Sequence, residues 1–211
     1  MTASRFAAYA DARLLQAPVH HRVSRLPSAI NYAETLNRVG YLDVDVLFSL
    51  IEAWRGLLRL VGPDLALGDH SPTALIAARL EKMPAAAIGS GFFAPPRVSP
   101  IPGIQPRRDV PEESFVKSEA AVVRLINQVI DRHGGEQLSD MFDLADNFLT
   151  ILPEFDHYDR PAQVGRSAPE FCGPLDMPVE SGDVPWPAGE GERMFVYYRT
   201  GYPHFKTMMR Q

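Results

Sequence analysis

A carboxylate and an imidazole stand side by side at Asp69 and His70, after a short apolar run and before a helical segment led by Pro72. In open α/β sheets, ligands bind at the carboxyl ends of the strands, where this pair falls. The amino end of the following helix also favours an anionic group nearby. The pair therefore indicates a ligand site, and the competing interpretation is that Asp69 or Ser71 simply caps the helix.

A second candidate segment, Gly89-Ser-Gly-Phe-Phe-Ala-Pro-Pro96, follows the next apolar run. Its glycines permit close approach of the backbone, and Phe92 and Phe93 are suited to lining an apolar pocket. The segment lacks the Gly-x-x-x-x-Gly-Lys-Ser/Thr pattern of a phosphate loop. The alternative is a structural turn whose phenylalanines belong to the core.

The other reactive side chains form no recognised catalytic or metal-binding pattern. The single cysteine, Cys172, excludes a paired-cysteine motif, and the stretch Glu154–Asp159 is more typical of a solvated turn than of a cation site. No Gly-x-Ser-x-Gly elbow supports a serine hydrolase. No metal and no cofactor is therefore expected. The other histidines lack the spacing of metal ligands; they are His20, His21, His133, His157 and His204.

The elements that position Asp69 and His70 follow from the periodicity of the apolar residues. Asp43 is expected to cap the amino end of a helix over Val44–Val61, and Gly62 to end that helix. Pro72 is expected to open the helix that follows. A strand, a helix and a strand at this spacing form a βαβ unit, which predicts a parallel sheet. The predicted elements are a helix over Val44–Val61, a strand over Leu65–Leu67, a helix over Thr73–Leu80 and a strand over Ala85–Ile88.

Further elements are predicted on both sides of this unit. A proline-rich stretch, Pro95–Pro106, is expected to be a loop. Gly134-Gly135 is expected to end the helix predicted over Pro111–Arg132. The other predicted helices cover Ser4–Ala12, Ser28–Arg38, Pro111–Arg132 and Leu138–Ala145, and the other strands Leu14–Pro18, Phe148–Leu152 and Met194–Tyr198.

Composition places the chain among globular proteins. Of its 211 residues 45% are hydrophobic, enough for a core, and its net charge of −5 argues against nucleic-acid binding. The chain has no apolar run long enough for a membrane span and no signal-peptide pattern, and one cysteine suits a reducing compartment. A cytoplasmic protein without a membrane span is expected.

Taken in order, several segments resemble bacterial members of the UDP-glycosyltransferase-like family, whose two Rossmann-type domains face a cleft in the GT-B architecture. The match rests on the order and combination of the segments and covers nearly the whole chain. The segments are Gln16–Val19, Gly40-Tyr41, Ala53–Arg55, Pro63–Leu75, Gly89–Pro96, Leu152–Tyr158, Gly173-Pro174, Trp186-Pro187 and Phe195–Tyr197.

The resemblance implies sugar transfer from a nucleotide-sugar donor to a hydroxyl acceptor with inversion. In such enzymes a histidine after the first strand removes the proton of the acceptor hydroxyl, which is general-base catalysis. An aspartate at the end of a later strand orients that histidine. Asp69 matches that aspartate. The acceptor would be a small molecule, and its implied binding residues are His70, Gly91, Phe92, Phe93 and Pro95.

The family's first strand, with its Gly-His turn, would lie upstream of Met1, and its nucleotide-binding domain beyond Gln211. The expected fold is therefore α/β, a Rossmann-like parallel sheet with flanking helices, as an incomplete N-terminal GT-B domain. Donor binding would need the second domain, so the isolated chain is expected to be inactive. The alternatives are a non-catalytic acceptor-binding or accessory module and a decayed remnant. The predicted division is an acceptor-side domain at 1–153, a linker at 154–192 and the start of the donor domain at 193–211.

Overall fold

The structure is a computed structural model that describes residues 13–20, 25–89, 98–105, 109–144 and 149–151, together with Ala188, Gly189, Gly191 and Thr207. The chain divides into two compact units, Met1–Leu175 and Asp176–Gln211. Every helix and strand named below belongs to the first unit. The predicted helix over Ser4–Ala12, the strand over Met194–Tyr198 and all of the linker except Ala188, Gly189 and Gly191 lie outside the described residues.

A small parallel sheet of three strands forms one layer of the first unit. β1 (Ala66–Asp69), β2 (Ala85–Ile88) and β3 (Leu149–Ile151) pair in the order β1-β2-β3, with Asp69 opposite Ile88. Helix α3 (Pro72–Leu80) connects β1 to β2. The predicted βαβ unit and parallel sheet are therefore confirmed. The first compact unit, Met1–Leu175, is of the mixed α/β class.

Three further helices are α1 (Tyr32–Asn37), α2 (Val44–Val61) and α4 (Glu112–Arg132). Helix α2 has its predicted bounds because both of its predicted end signals operate. Asp43 Oδ1 accepts hydrogen bonds from the amides of Asp45 and Val46 at 2.9 and 3.1 Å. Gly62, at φ 58°, donates its amide to the Leu58 carbonyl at 2.8 Å.

Several predicted elements differ from the structure, and β1 covers Ala66–Asp69 where Leu65–Leu67 was predicted. The strand over Leu14–Pro18 is wrong: residues 13–20 have no regular structure, and Leu14 and Leu15 are 54% and 53% exposed, so no neighbour buries the run. Helix α1 begins later than predicted because Asn31 Oδ1 caps it, accepting from the Glu34 amide at 3.0 Å. The predicted helix over Leu138–Ala145 is only a 3₁₀ turn, Met141–Leu144.

The main core lies between α1, α2, α3 and α4, and α3 also packs on the sheet through Leu75 and Ala78. Leu75 of α3 packs so closely on β1 that a β-carbon built on Gly68 would stand 3.0 Å from Leu75 Cδ2. No helix in the described part of the chain is long and apolar enough to cross a membrane. The fully buried side chains of the core include Leu36, Tyr41, Leu47, Ile51, Ile76, Val122, Ile126, Val129, Ile130 and Met141.

A charged network joins α2 to the ends of α3 and α4. Arg55 Nε donates to Glu81 Oε1 at 2.5 Å, and Arg55 Nη1 donates to Glu52 Oε1 and to His133 Nδ1, both at 2.7 Å. Because an arginine has no acceptor, His133 Nδ1 must carry a lone pair, so the ring is neutral with its proton on Nε2. The ring stacks on Phe48 at 4.6 Å. Burial, reinforced by Arg55, lowers the pKa of His133.

The described part of the proline-rich loop, 98–105, is irregular, as predicted, and is tied to the body of the unit. Glu119 Oε1, on α4, accepts from the Ile101 amide at 2.7 Å, and the Ile104 amide donates to the Ile30 carbonyl at 2.9 Å. Burial raises the pKa of Glu119. These bonds fix the loop between α4 and the start of α1.

Candidate functional site

The chain turns sharply between β1 and α3. Asp69, the last residue of β1, is exposed, and His70 has a φ of 44°, in the left-handed region. That conformation costs a non-glycine residue about 1–2 kcal/mol, and it persists where the surrounding structure imposes it, often at functional sites. The backbone therefore marks His70 as the unusual residue of the turn.

Capping does not explain the polar residues of this turn. Ser71 is the residue that precedes α3, but its hydroxyl makes no capping hydrogen bond, and Pro72 occupies the first turn without an amide to satisfy. In the described part of the chain, the side chain of Asp69 makes no hydrogen bond to α3 either. The interpretation that Asp69 or Ser71 caps α3 through its side chain is therefore wrong.

A cleft of about 270 Å³ lies at the carboxyl end of β1. Four separate stretches of chain form it: the irregular residues 17–20, the segment after α1, the outer face of α2, and the turn into α3. It contains two imidazoles, that of His20 from residues 17–20 and that of His70 from the turn into α3. The lining residues are Ala17, Pro18, Val19, His20, Val39, Leu50, Trp54, His70, Ser71, Pro72 and Thr73.

The chemistry of the lining defines what can bind. Most of the lining is aliphatic or aromatic, with Leu50 and Trp54 on the side of α2. Among the described lining residues, the polar groups are two imidazoles and the hydroxyls of Ser71 and Thr73, with no lysine, arginine, aspartate or glutamate. Pockets for drug-sized ligands measure about 300–1,000 Å³, so this cleft of about 270 Å³ suits a smaller molecule, and its described lining suits a neutral one that carries hydroxyl groups.

The environment of His70 keeps its ring neutral. Burial lowers the pKa of His70, and the neighbouring Asp69 opposes this shift. The ring of Tyr32 lies 6.4 Å from the His70 ring, inclined at 60°. Burial raises the pKa of Tyr32, so that phenol stays protonated. A neutral imidazole accepts a proton, so His70 has the protonation state of a general base.

Beneath the cleft, Tyr41 joins the core to the start of α3. Its hydroxyl lies 3.0 Å from Thr73 Oγ1, and the side chain is 1% exposed. Burial raises the pKa of Tyr41, so the phenol keeps its proton. Thr73 is thus a lining residue whose hydroxyl is bonded to the core.

The structure brings together only some of the residues that the sequence indicated. His70 lines the cleft, whereas Asp69 lies next to it and outside the lining. The predicted acceptor-binding residues Gly91, Phe92, Phe93 and Pro95 lie outside the described residues. Sequence reasoning examined His20 only for metal spacing and missed it as a site residue. Its signal was that His20 directly follows Gln16–Val19, one of the segments that carry the family resemblance.

Among residues 13–20, 25–89, 98–105, 109–144 and 149–151, no three histidine, cysteine, aspartate or glutamate side chains are grouped to hold a metal ion. No protein-family model matches the chain, and no curated protein matches it. Fold and site together define a small α/β domain with a ligand-sized cleft at the carboxyl end of its parallel sheet.

Proposed function

We propose that this cleft is the acceptor site of a nucleotide-sugar-dependent glycosyltransferase of the Rossmann-like GT-B type. The observation that carries the proposal is the half-buried imidazole of His70, which lines a small cleft at the carboxyl end of β1, where the backbone is left-handed and burial lowers the pKa of the ring. The resemblance of the segments around Asp69, Tyr41 and Trp54 to that family supports it. The donor would be held by a second domain, as in the family.

In the proposed reaction, an acceptor alcohol lies in the cleft with its hydroxyl at an imidazole, either that of His70 or that of His20. The imidazole takes the hydroxyl proton while the oxygen forms a bond to the anomeric carbon of the donor sugar. The bond between that carbon and the diphosphate oxygen breaks, and the nucleotide diphosphate leaves with the electron pair. Attack opposite the leaving group inverts the anomeric carbon. Asp69 stabilises the imidazolium, consistent with its effect on the pKa of His70.

One observation favours the alternative, an acceptor-binding module without catalysis. Asp69 is exposed and does not line the cleft, so its carboxylate does not contact a ligand seated there. A module of this kind needs only the apolar walls and the hydroxyls of the cleft. Binding of an alcohol therefore supports both functions, and turnover separates them.

Calorimetric titration of the 211-residue chain with phenol, UDP and UDP-glucose tests the site. Phenol is expected to bind, and to bind more weakly to Leu50→Trp, which fills the cleft. UDP and UDP-glucose are expected not to bind. A folded chain that does not bind phenol refutes the acceptor site, and micromolar binding of UDP refutes the proposed division of labour between two domains.

Turnover is tested in a fusion to the donor domain of a characterised two-domain glycosyltransferase, with phenyl glucoside detected by mass spectrometry. The enzyme hypothesis predicts product, and a loss of at least about 100-fold in either His20→Gln or His70→Gln identifies the base. Asp69→Asn is expected to slow turnover, whereas the matched exposed variant Asp64→Asn is not. Phenol binding with no product supports the non-catalytic module.

A further inference from the structure

Thr73 in the lining of the cleft and Tyr41 beneath it form a hydroxyl pair whose hydrogen-bond direction follows from burial. Tyr41 Oη and Thr73 Oγ1 are 3.0 Å apart, and either atom can be the donor on distance alone. Tyr41 is 1% exposed, and within the described part of the chain Thr73 is its hydrogen-bond partner. If Thr73 donated, the phenol proton would be buried without an acceptor, which is strongly unfavourable. Tyr41 is therefore the donor.

The proton of the Thr73 hydroxyl must then point elsewhere. Three other hydroxyls in the described helices return their protons to the backbone. Thr35 Oγ1 donates to the Asn31 carbonyl at 3.2 Å, Ser49 Oγ to the Asp45 carbonyl at 2.8 Å, and Ser118 Oγ to the Phe115 carbonyl at 2.9 Å. Thr73 makes no such bond among the described residues, and it lines the cleft. Its proton is thus available to a molecule in the cleft.

We propose that Thr73 is the specificity-determining hydrogen-bond donor of the cleft, and that Tyr41 is the positioning residue that holds it in the donor orientation. This inference rests on the proposed acceptor site and names its substrate class. A ligand that gives its hydroxyl proton to an imidazole and also accepts from Thr73 needs two oxygens. The preferred acceptor is a small, largely apolar alcohol or phenol with a second, hydrogen-bond-accepting oxygen close to its hydroxyl.

Two ligands of nearly equal shape isolate this second oxygen. In 2-methoxyphenol an ether oxygen stands beside the hydroxyl, and in 2-ethylphenol a methylene replaces that oxygen. The ratio of their Kd values, measured by calorimetry on the full chain, reports the hydrogen bond and cancels the burial of the ring. The wild-type chain is expected to prefer 2-methoxyphenol by about two- to twelvefold, the range of a net neutral hydrogen bond.

Four variants assign the preference. Thr73→Val, which keeps the shape and removes the donor, is expected to bring the ratio to about one. Thr73→Ser restores the donor and the preference. Tyr41→Phe leaves Thr73 free to rotate, so its ratio should fall between those of the wild type and Thr73→Val. Thr35→Val, whose hydroxyl bonds to its own helix, is the matched control and keeps the wild-type ratio. Cooperative thermal unfolding confirms that each variant is folded.

The outcomes separate this inference from the proposed function. If both phenols bind and Thr73→Val keeps the wild-type ratio, the role of Thr73 is wrong while the acceptor site stands. If Thr73→Val and Thr35→Val lower the ratio equally, the effect is not specific to the cleft and the inference is also overturned. If neither phenol binds to the folded wild-type chain, the acceptor site itself is wrong, and the role of Thr73 fails with it.

Discussion

Replacing Gly68 by alanine tests how tightly α3 is seated on β1. The added methyl would stand 3.0 Å from Leu75 Cδ2 and 3.2 Å from Leu75 Cγ, and Leu75 is buried, so it has little room to move. Overpacking of this kind costs about 1–3 kcal/mol. The loss of backbone freedom in the unfolded chain returns about 0.4–1 kcal/mol. A net destabilisation of about 1–2 kcal/mol is therefore expected.

Urea titration followed by circular dichroism measures this change as a lower midpoint at an unchanged m value. The matched control is Gly56→Ala in the interior of α2, where nothing lies within 4 Å of the added methyl. That variant is expected to gain about 0.5–1 kcal/mol, because alanine is the better helix former. If Gly68→Ala is as stabilising as Gly56→Ala, the close seating of α3 on β1 is refuted.

Three further predictions concern charge and backbone conformation. Because the pKa of His133 is lowered in the fold, the unfolded chain takes up that proton first, so stability falls as the pH drops below about 6.5. Urea titrations at pH 7 and pH 6 should show that the free energy of unfolding falls less for His133→Gln than for the wild type. An equal fall in both proteins would contradict the neutral His133 ring. Arg55→Met leaves Arg59 as the remaining partner of the Glu81 carboxylate, which is only 17% exposed. The free energy of unfolding should fall by about 1–3 kcal/mol in the same assay. No change would mean that the network contributes nothing to stability. Lys82 is exposed and has a φ of 53°, a conformation that glycine adopts more easily. The free energy of unfolding of Lys82→Gly should therefore be about 0.5–1 kcal/mol higher than that of the wild type, and a lower value would contradict the left-handed conformation.

The parts of the fold that local chemistry determines were predictable. Asp43 and Gly62 set the bounds of α2 because capping involves only neighbouring residues. Pro72 opened α3 for the same reason. The run Leu14–Pro18 was wrongly predicted as a strand because an apolar run becomes a strand only where another strand and a covering layer receive it, which no local pattern reveals.

The candidate site was only half predictable. Position at the end of a strand led to His70, and this needed no knowledge of distant residues. The presence of His20 in the same cleft depends on the packing of residues 17–20 near α2, a long-range arrangement that spacing does not encode. The left-handed φ of His70 was equally unpredictable, since histidine, although enriched there among non-glycine residues, adopts that conformation at only a small minority of positions.

Four separate stretches of the chain form the cleft, so no fragment shorter than the span from residue 17 to residue 73 contains it. A ligand that binds there binds only the assembled fold and draws the folding equilibrium toward it. At a concentration 100 times its Kd, such a ligand stabilises the fold by about 2.7 kcal/mol, which raises the unfolding temperature by roughly 5–11 °C for a chain of this size. Thermal melting in the presence of a panel of small alcohols can therefore rank ligands of the cleft without any knowledge of the reaction.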